Sequence, residues 1–100
     1  MGAIIVFGSS GFIGKNLKSK LNYINKTIYF PSRKECNLLS REKTNNFFIK
    51  HKPEYVIQLA GDVGGIKYIM SNPASTFNNN LKMTSILFEV CQINKVKKII

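Results

Sequence analysis

The sequence predicts an α/β fold, a parallel sheet with helices on both faces, and three observations carry it. Short apolar runs alternate with longer stretches in which apolar residues recur every three or four positions. The first run, Ala3-Ile4-Ile5-Val6-Phe7, is unbroken by polar residues, as a strand covered on both faces requires. The runs also end on residues that turn the chain, Gly8 after the first and Pro31 after the second.

The elements follow in order. Residues 3–7 form the first strand. From Phe12 the spacing becomes helical, with Phe12, Ile13, Leu17, Leu21 and Ile24 on one stripe and lysines opposite. Thr27-Ile28-Tyr29-Phe30 reads as a second strand ended by Pro31. Ser40 is an N-cap, with Glu42 in the first turn and Thr44, Phe47, Phe48 and His51 on one helical face. Lys52-Pro53 breaks that helix, and Tyr55-Val56-Ile57-Gln58-Leu59 is a third strand. Asn72-Pro73 opens a long helix over 73–93, its apolar face predicted as Phe77, Leu81, Thr84, Leu87, Phe88 and Cys91. Lys98-Ile99-Ile100 reads as the start of a fourth strand. Such an order implies right-handed βαβ crossovers. It also implies that residues 1–100 are the N-terminal part of one domain from a longer chain, with a substrate domain absent.

Composition narrows the class. The chain is 44% hydrophobic and 20% charged, a balance suited to a folded globule rather than a disordered segment. It has no apolar run of about 18 residues, so no membrane span is expected. The opening MGAIIVFGSSG lacks a basic n-region and a small-residue cleavage site, so no signal peptide is expected; Val6 stands where myristoylation needs Ser or Thr. Cys36 and Cys91 lie far apart, with no C-x-x-C and no histidine pair nearby. Two free thiols in a cytoplasmic protein without a metal is the expectation. The net charge of +10 comes from 13 Lys and 2 Arg scattered along the chain. That distribution suits a solvated basic surface better than a nucleic-acid patch.

The most informative segment is Gly8-Ser9-Ser10-Gly11-Phe12-Ile13-Gly14, a G-x-x-G-x-x-G turn between the first strand and first helix. Gly8 permits a tight exit from the strand, Gly11 leaves room for a pyrophosphate, and Gly14 lets the helix pack closely. The free amides and positive dipole end of the helix then meet the phosphate charge. Three glycines can be a structural turn only; an apolar strand before them and an amphipathic helix after them favour nucleotide binding, and hence a Rossmann-type sheet. No Gly-Lys-Ser/Thr closes the turn, so it is not a Walker loop. At the end of the second strand, Phe30-Pro31-Ser32-Arg33-Lys34 holds no carboxylate before Glu35 to take a ribose 2′-hydroxyl. Arg33 and Lys34 suit a 2′-phosphate instead, which favours NADP, with NAD as the alternative.

With these residues, together with Arg33-Lys34-Glu35-Cys36-Asn37-Leu38-Leu39 and Leu59-Ala60-Gly61-Asp62-Val63-Gly64-Gly65-Ile66, the chain resembles extended short-chain dehydrogenase/reductases of the NAD-dependent epimerase/dehydratase family that act on nucleotide-sugars. The similarity runs over essentially all of it. The resemblance implies that Arg33 reaches the 2′-phosphate and that Asn37 and Leu38 line the adenine pocket. Leu59, Ala60 and Gly61 would pass under the cofactor, the turn from Val63 to Ile66 would lie near the nicotinamide and sugar, and Asn80 would brace the active site. It further implies an NADP-dependent epimerase/reductase with a nucleotide-sugar substrate, a homodimer when full length. Other nucleotide-sugar epimerases or dehydratases, and a Rossmann protein that senses NADP without chemistry, are the alternatives. Ser10 departs from the pattern, since the reductases tend to carry arginine there; Asp62 departs from a usual lysine. The family's Tyr-x-x-x-Lys pair is absent as well. Four residues beyond Tyr23, Tyr29, Tyr55 and Tyr68 stand Thr27, Arg33, Leu59 and Asn72, so no catalytic residue is expected here and the 100-residue chain should be inactive alone.

Overall fold

The computed structural model describes residues 2–21, 27–60, 71 and 73–100. The chain runs β1 (Ala3–Phe7), α1 (Phe12–Leu21), β2 (Ile28–Tyr29), α2 (Arg41–His51), β3 (Pro53–Gln58), α3 (Pro73–Ile93) and β4 (Lys98–Ile99). All four strands are parallel in the order β2-β1-β3-β4. The chain therefore steps from β1 to β2 on one side, then crosses back to β3 on the other. The sequence reverses direction between β1 and β3, where parallel α/β sheets open a crevice at their C-terminal edge. Phe7 is paired with Gln58 at that edge, and the Leu59 amide extends the ladder to the Phe7 carbonyl at 3.0 Å.

Strand residues divide by parity. Ile5, Phe7 and Val56 face a core completed by Phe48 of α2 and by Met83, Ile86, Leu87, Val90 and Cys91 of α3. The Phe7 and Phe48 rings stack with centroids 6.2 Å apart. Both helices thus cover one face, tied together by the Arg41–Glu89 ion pair at 2.9 Å and by an Asn94–Asn45 hydrogen bond at 2.8 Å. Ile4 and Val6 point to the opposite face, the side on which the right-handed β1-α1-β2 crossover lays α1.

Local signals set the bounds of α2. The Ser40 hydroxyl accepts from the Lys43 amide at 3.3 Å, and Lys52 closes the helix in the left-handed region at φ 47. Pro53 begins β3, two residues earlier than expected; as the first residue of a strand it costs no needed donor. Leu59 falls just past the strand's end.

Two apolar faces differ from expectation. On α1, Phe12 is 85% and Ile13 65% exposed, Leu17 and Leu21 are half-buried, and Ile24 lies outside the described residues. Gly14 is the buried residue of this helix, and its apolar stripe is covered only in part, at Leu17 and Leu21. On α3, Leu87 and Cys91 are buried as expected, but Phe77 is 66% exposed, Leu81 and Phe88 are each 57% exposed, and Thr84 is exposed too. The sheet instead takes Met83, Ile86, Leu87, Val90 and Cys91. The helix carries two apolar stripes, and periodicity cannot say which one a sheet will cover. The expected N-cap Asn72 is outside the described residues.

Candidate functional site

A cleft of about 550 Å³ opens at the C-terminal edge of the sheet. Its walls come from five places. Phe7, Gly8, Ser9, Ser10 and Gly11 form the β1 exit, and Phe30, Pro31, Ser32 and Arg33 the β2 exit. Cys36, Asn37, Leu38 and Leu39 form the stretch before α2, and Leu59 and Ala60 the β3 exit. Asn79 and Met83 of α3 close it. A shallower hollow of about 270 Å³ lies at the opposite end of the sheet around Lys52, Glu54 and Lys97, where the Lys97–Glu54 ion pair spans 3.5 Å.

The glycine turn is shaped by contacts that side chains would break. Gly8 has φ +84, and a Cβ there would stand 2.5 Å from the Ala60 nitrogen and the Leu59 carbonyl carbon. This position is open only to glycine, on conformational and on steric grounds. A Cβ on Gly14 would strike the Gly8 carbonyl oxygen and sit 2.6 Å from the Ser9 Cα, so the helix rests directly on the turn. Gly11 is different: its nearest contact would be an ordinary 3.6 Å to the Gly8 oxygen. The protein leaves the space beside it empty. The Gly11 amide closes the turn onto the Gly8 carbonyl at 3.2 Å, and the Gly11 carbonyl accepts from Lys15 at 2.9 Å. The amides of Phe12, Ile13 and Gly14 meet no acceptor among the described residues. With no acidic residue in the first turn of α1, that positive helix end is left for an external anion.

At the β2 exit the backbone folds back through Ser32. The Ser32 amide donates to the Glu35 carboxylate at 3.0 Å, and the Glu35 amide donates to the Ser32 hydroxyl at 3.3 Å. These bonds hold the Glu35 carboxyl below its ordinary range. Glu35, the carboxylate of the stretch, is not among the residues lining the cleft, while Arg33 is. Asn37 holds the next turn: its side-chain oxygen accepts from the Leu39 amide at 3.0 Å, and its carbonyl accepts from the Thr44 hydroxyl at 3.1 Å. Burial pushes the Cys36 thiol up to about 11, despite a hydrogen bond from Thr44, and the Cys91 thiol likewise to about 11. Both are free and neutral at physiological pH.

Of the predicted site residues, Gly8, Ser9, Ser10, Gly11, Arg33, Asn37, Leu38, Leu59 and Ala60 come together in this one cleft. Phe12, Ile13 and Gly14 follow directly on the turn in the chain but are not among the residues that line the cleft. Gly61 and Val63 lie outside the described residues. Asn79, not Asn80, is the α3 asparagine in the cleft wall; half-buried Asn80 is a step of about 100° further round the helix. Sequence reading missed Phe7, Phe30, Pro31, Ser32, Cys36, Leu39, Asn79 and Met83. The first two stand at a strand's C-terminal edge, which alone could have marked them. The α3 pair had no local signal, because helix rotation against the sheet decides it. No group of three metal-ligating side chains gathers among the described residues, and no helix there is long and apolar enough to cross a membrane.

Fold and cleft together define a Rossmann-type α/β domain with its crevice at the strand switch point. Residues 4–100 match the NAD dependent epimerase/dehydratase family, and the chain belongs to it. It is 33% identical over 98 residues to a GDP-L-fucose synthase of Dictyostelium discoideum, covering 94% of this chain and 31% of that protein. It is 30% identical over 97 residues to a GDP-L-colitose synthase of Yersinia pseudotuberculosis, covering 97% and 32% respectively. The structure superposes with a TM-score of 0.79 on a GDP-L-fucose synthetase from Naegleria fowleri bound to NADP, at 28% identity over 99% of this chain and 29% of that one. The chain thus spans about a third of the length of the curated relatives it matches.

Proposed function

We propose that this chain is the NADP-holding first part of a cytoplasmic nucleotide-sugar epimerase/reductase of the GDP-L-fucose synthase kind, which epimerises GDP-4-keto-6-deoxymannose at C3 and C5 and reduces it at C4. The observation that carries the reading is the cleft's two ends. At one, Gly11 keeps the glycine turn open, and the amides of Phe12, Ile13 and Gly14 that follow it in the chain meet no acceptor among the described residues. At the other, Arg33 lines the wall while Glu35 is bound back onto Ser32. A pyrophosphate fits the first and a 2′-phosphate the second. Asn37 and Leu38 then flank the adenine, and Leu59 and Ala60 run beneath the dinucleotide. Asn79 borders the site from α3. Bound NADPH would supply hydride; the tyrosine and lysine that handle protons belong to sequence outside this chain.

The full-length enzyme is read as a homodimer. Phe77, Leu81, Thr84 and Phe88 follow one another at spacings of four, three and four along an exposed stripe of α3, an apolar surface suited to a second copy.

The test is NADPH consumption at 340 nm by the full-length protein with GDP-4-keto-6-deoxymannose. Steady loss of absorbance is expected, and none would end the synthase reading. Ser10, an uncharged residue in the glycine turn, favours a second reading as a GDP-mannose 3,5-epimerase with NAD; conversion of GDP-mannose without net cofactor change would select it. Binding of NADPH with neither reaction would select a non-catalytic NADP sensor.

A further inference from the structure

Lys18 stands in the second turn of α1, and its Nζ lies 5.1 Å from the centroid of the Phe30 ring. Phe30 follows β2 directly and is part of the cleft wall, beside Ser32 and Arg33. The contact therefore sets an ammonium over the ring of a residue that walls the β2 end of the cleft, although Lys18 itself does not line it. We propose that Lys18 is a second cation for the 2′-phosphate of the cofactor, acting with Arg33; this deepens the NADP reading above and rests on it.

Charge balance is the first argument. A phosphate monoester carries about −1.5 to −2 near neutral pH. Arg33 offsets one unit of it. The glycine turn adds Ser10, a hydroxyl; neither Lys34 nor Lys18 is itself in the cleft wall, but Lys18 is held against a wall residue, Phe30. Availability is the second. Neither ion pair found among the described residues, Arg41–Glu89 or Lys97–Glu54, involves Lys18, and the Glu35 carboxylate accepts from the Ser32 amide. Strength is the third. A cation over an aromatic face is held weakly at an exposed site, whereas a charge-assisted bond to phosphate is stronger. Phe30 parks the ammonium beside the cleft, and an arriving 2′-phosphate draws it off the ring.

The full-length protein is titrated calorimetrically with 2′,5′-ADP and with 5′-ADP, as wild type, Lys18→Met, Lys18→Arg and Arg33→Ala. Methionine keeps the apolar stem over Phe30 and removes only the charge. Lys18→Met is expected to weaken 2′,5′-ADP about three- to tenfold and to reduce its salt dependence, with 5′-ADP changed by less than about twofold. Lys18→Arg is expected to keep the preference for 2′,5′-ADP. Unchanged 2′,5′-ADP affinity in Lys18→Met, or equal losses for both nucleotides, overturns the proposal and leaves Lys18 a packing residue. If Arg33→Ala loses the preference while Lys18→Met keeps it, only the Lys18 assignment falls. If wild type itself does not distinguish the two nucleotides, the NADP reading falls with it.

Discussion

Gly8 and Gly11 belong to one motif yet answer to different forces. Alanine at Gly8 must adopt φ near +84 and push against Leu59 and Ala60, so Gly8→Ala is expected to cost at least about 2 kcal/mol of stability in urea unfolding of the full protein. Alanine at Gly11 meets only an ordinary contact at 3.6 Å. Gly11→Ala should leave the unfolding midpoint nearly unchanged and still lose NADPH affinity, because its methyl group occupies the space expected for the pyrophosphate. A Gly11→Ala variant that binds NADPH normally would remove the phosphate assignment. Arg33→Ala is expected to weaken NADPH by about 1.5–3 kcal/mol and NADH hardly at all, measured by nucleotide fluorescence. Equal losses would show that Arg33 does not read the 2′-phosphate.

The helix α2 links these residues to the core. Its cap, Ser40, bonds the Lys43 amide, and one turn on the Thr44 hydroxyl donates to both the Ser40 carbonyl, at 2.7 Å, and the Asn37 carbonyl, at 3.1 Å. The start of the helix and the Asn37–Leu39 wall of the cleft are therefore one hydrogen-bonded unit. Ser40→Ala is expected to destabilise the protein by about 0.5–2 kcal/mol and to loosen nucleotide binding with it. Loss of stability with unchanged binding would show that the wall stands without the cap. The Ser40 cap, the Lys52-Pro53 break and the strand at residues 3–7 were all legible in the sequence, since each depends on neighbours within a turn. The α1 and α3 faces were not. The exposure of Phe12 and Ile13 on the single stripe of α1 has no local signal, and α3 carries more apolar residues than one face can bury, with Phe77, Leu81 and Phe88 on the stripe that the sheet does not take.

That exposed stripe makes a prediction about the whole molecule. If it is where two copies meet, Leu81→Lys and Phe88→Lys should each turn a dimer into a monomer by light scattering without lowering the unfolding midpoint, since neither side chain touches the core. A dimer that survives both changes would place the contact elsewhere. The cleft is also a property of the assembled sheet. Nine of the residues expected at the site converge there because β1 and β3 are neighbours, although more than forty positions separate their exits.

By itself the sequence determined the alternation of strands and helices, the glycine turn and its fitness for an anion, the helix cap, and the cationic β2 exit. These follow from chain geometry, apolar period and side-chain chemistry acting within a few residues. Only the tertiary structure decided the strand order, which stripe of α3 is buried, that Asn79 rather than Asn80 reaches the cleft, and that Lys18 lies over Phe30. Each of those depends on how one element is rotated and set against another, a choice made by packing across the whole domain.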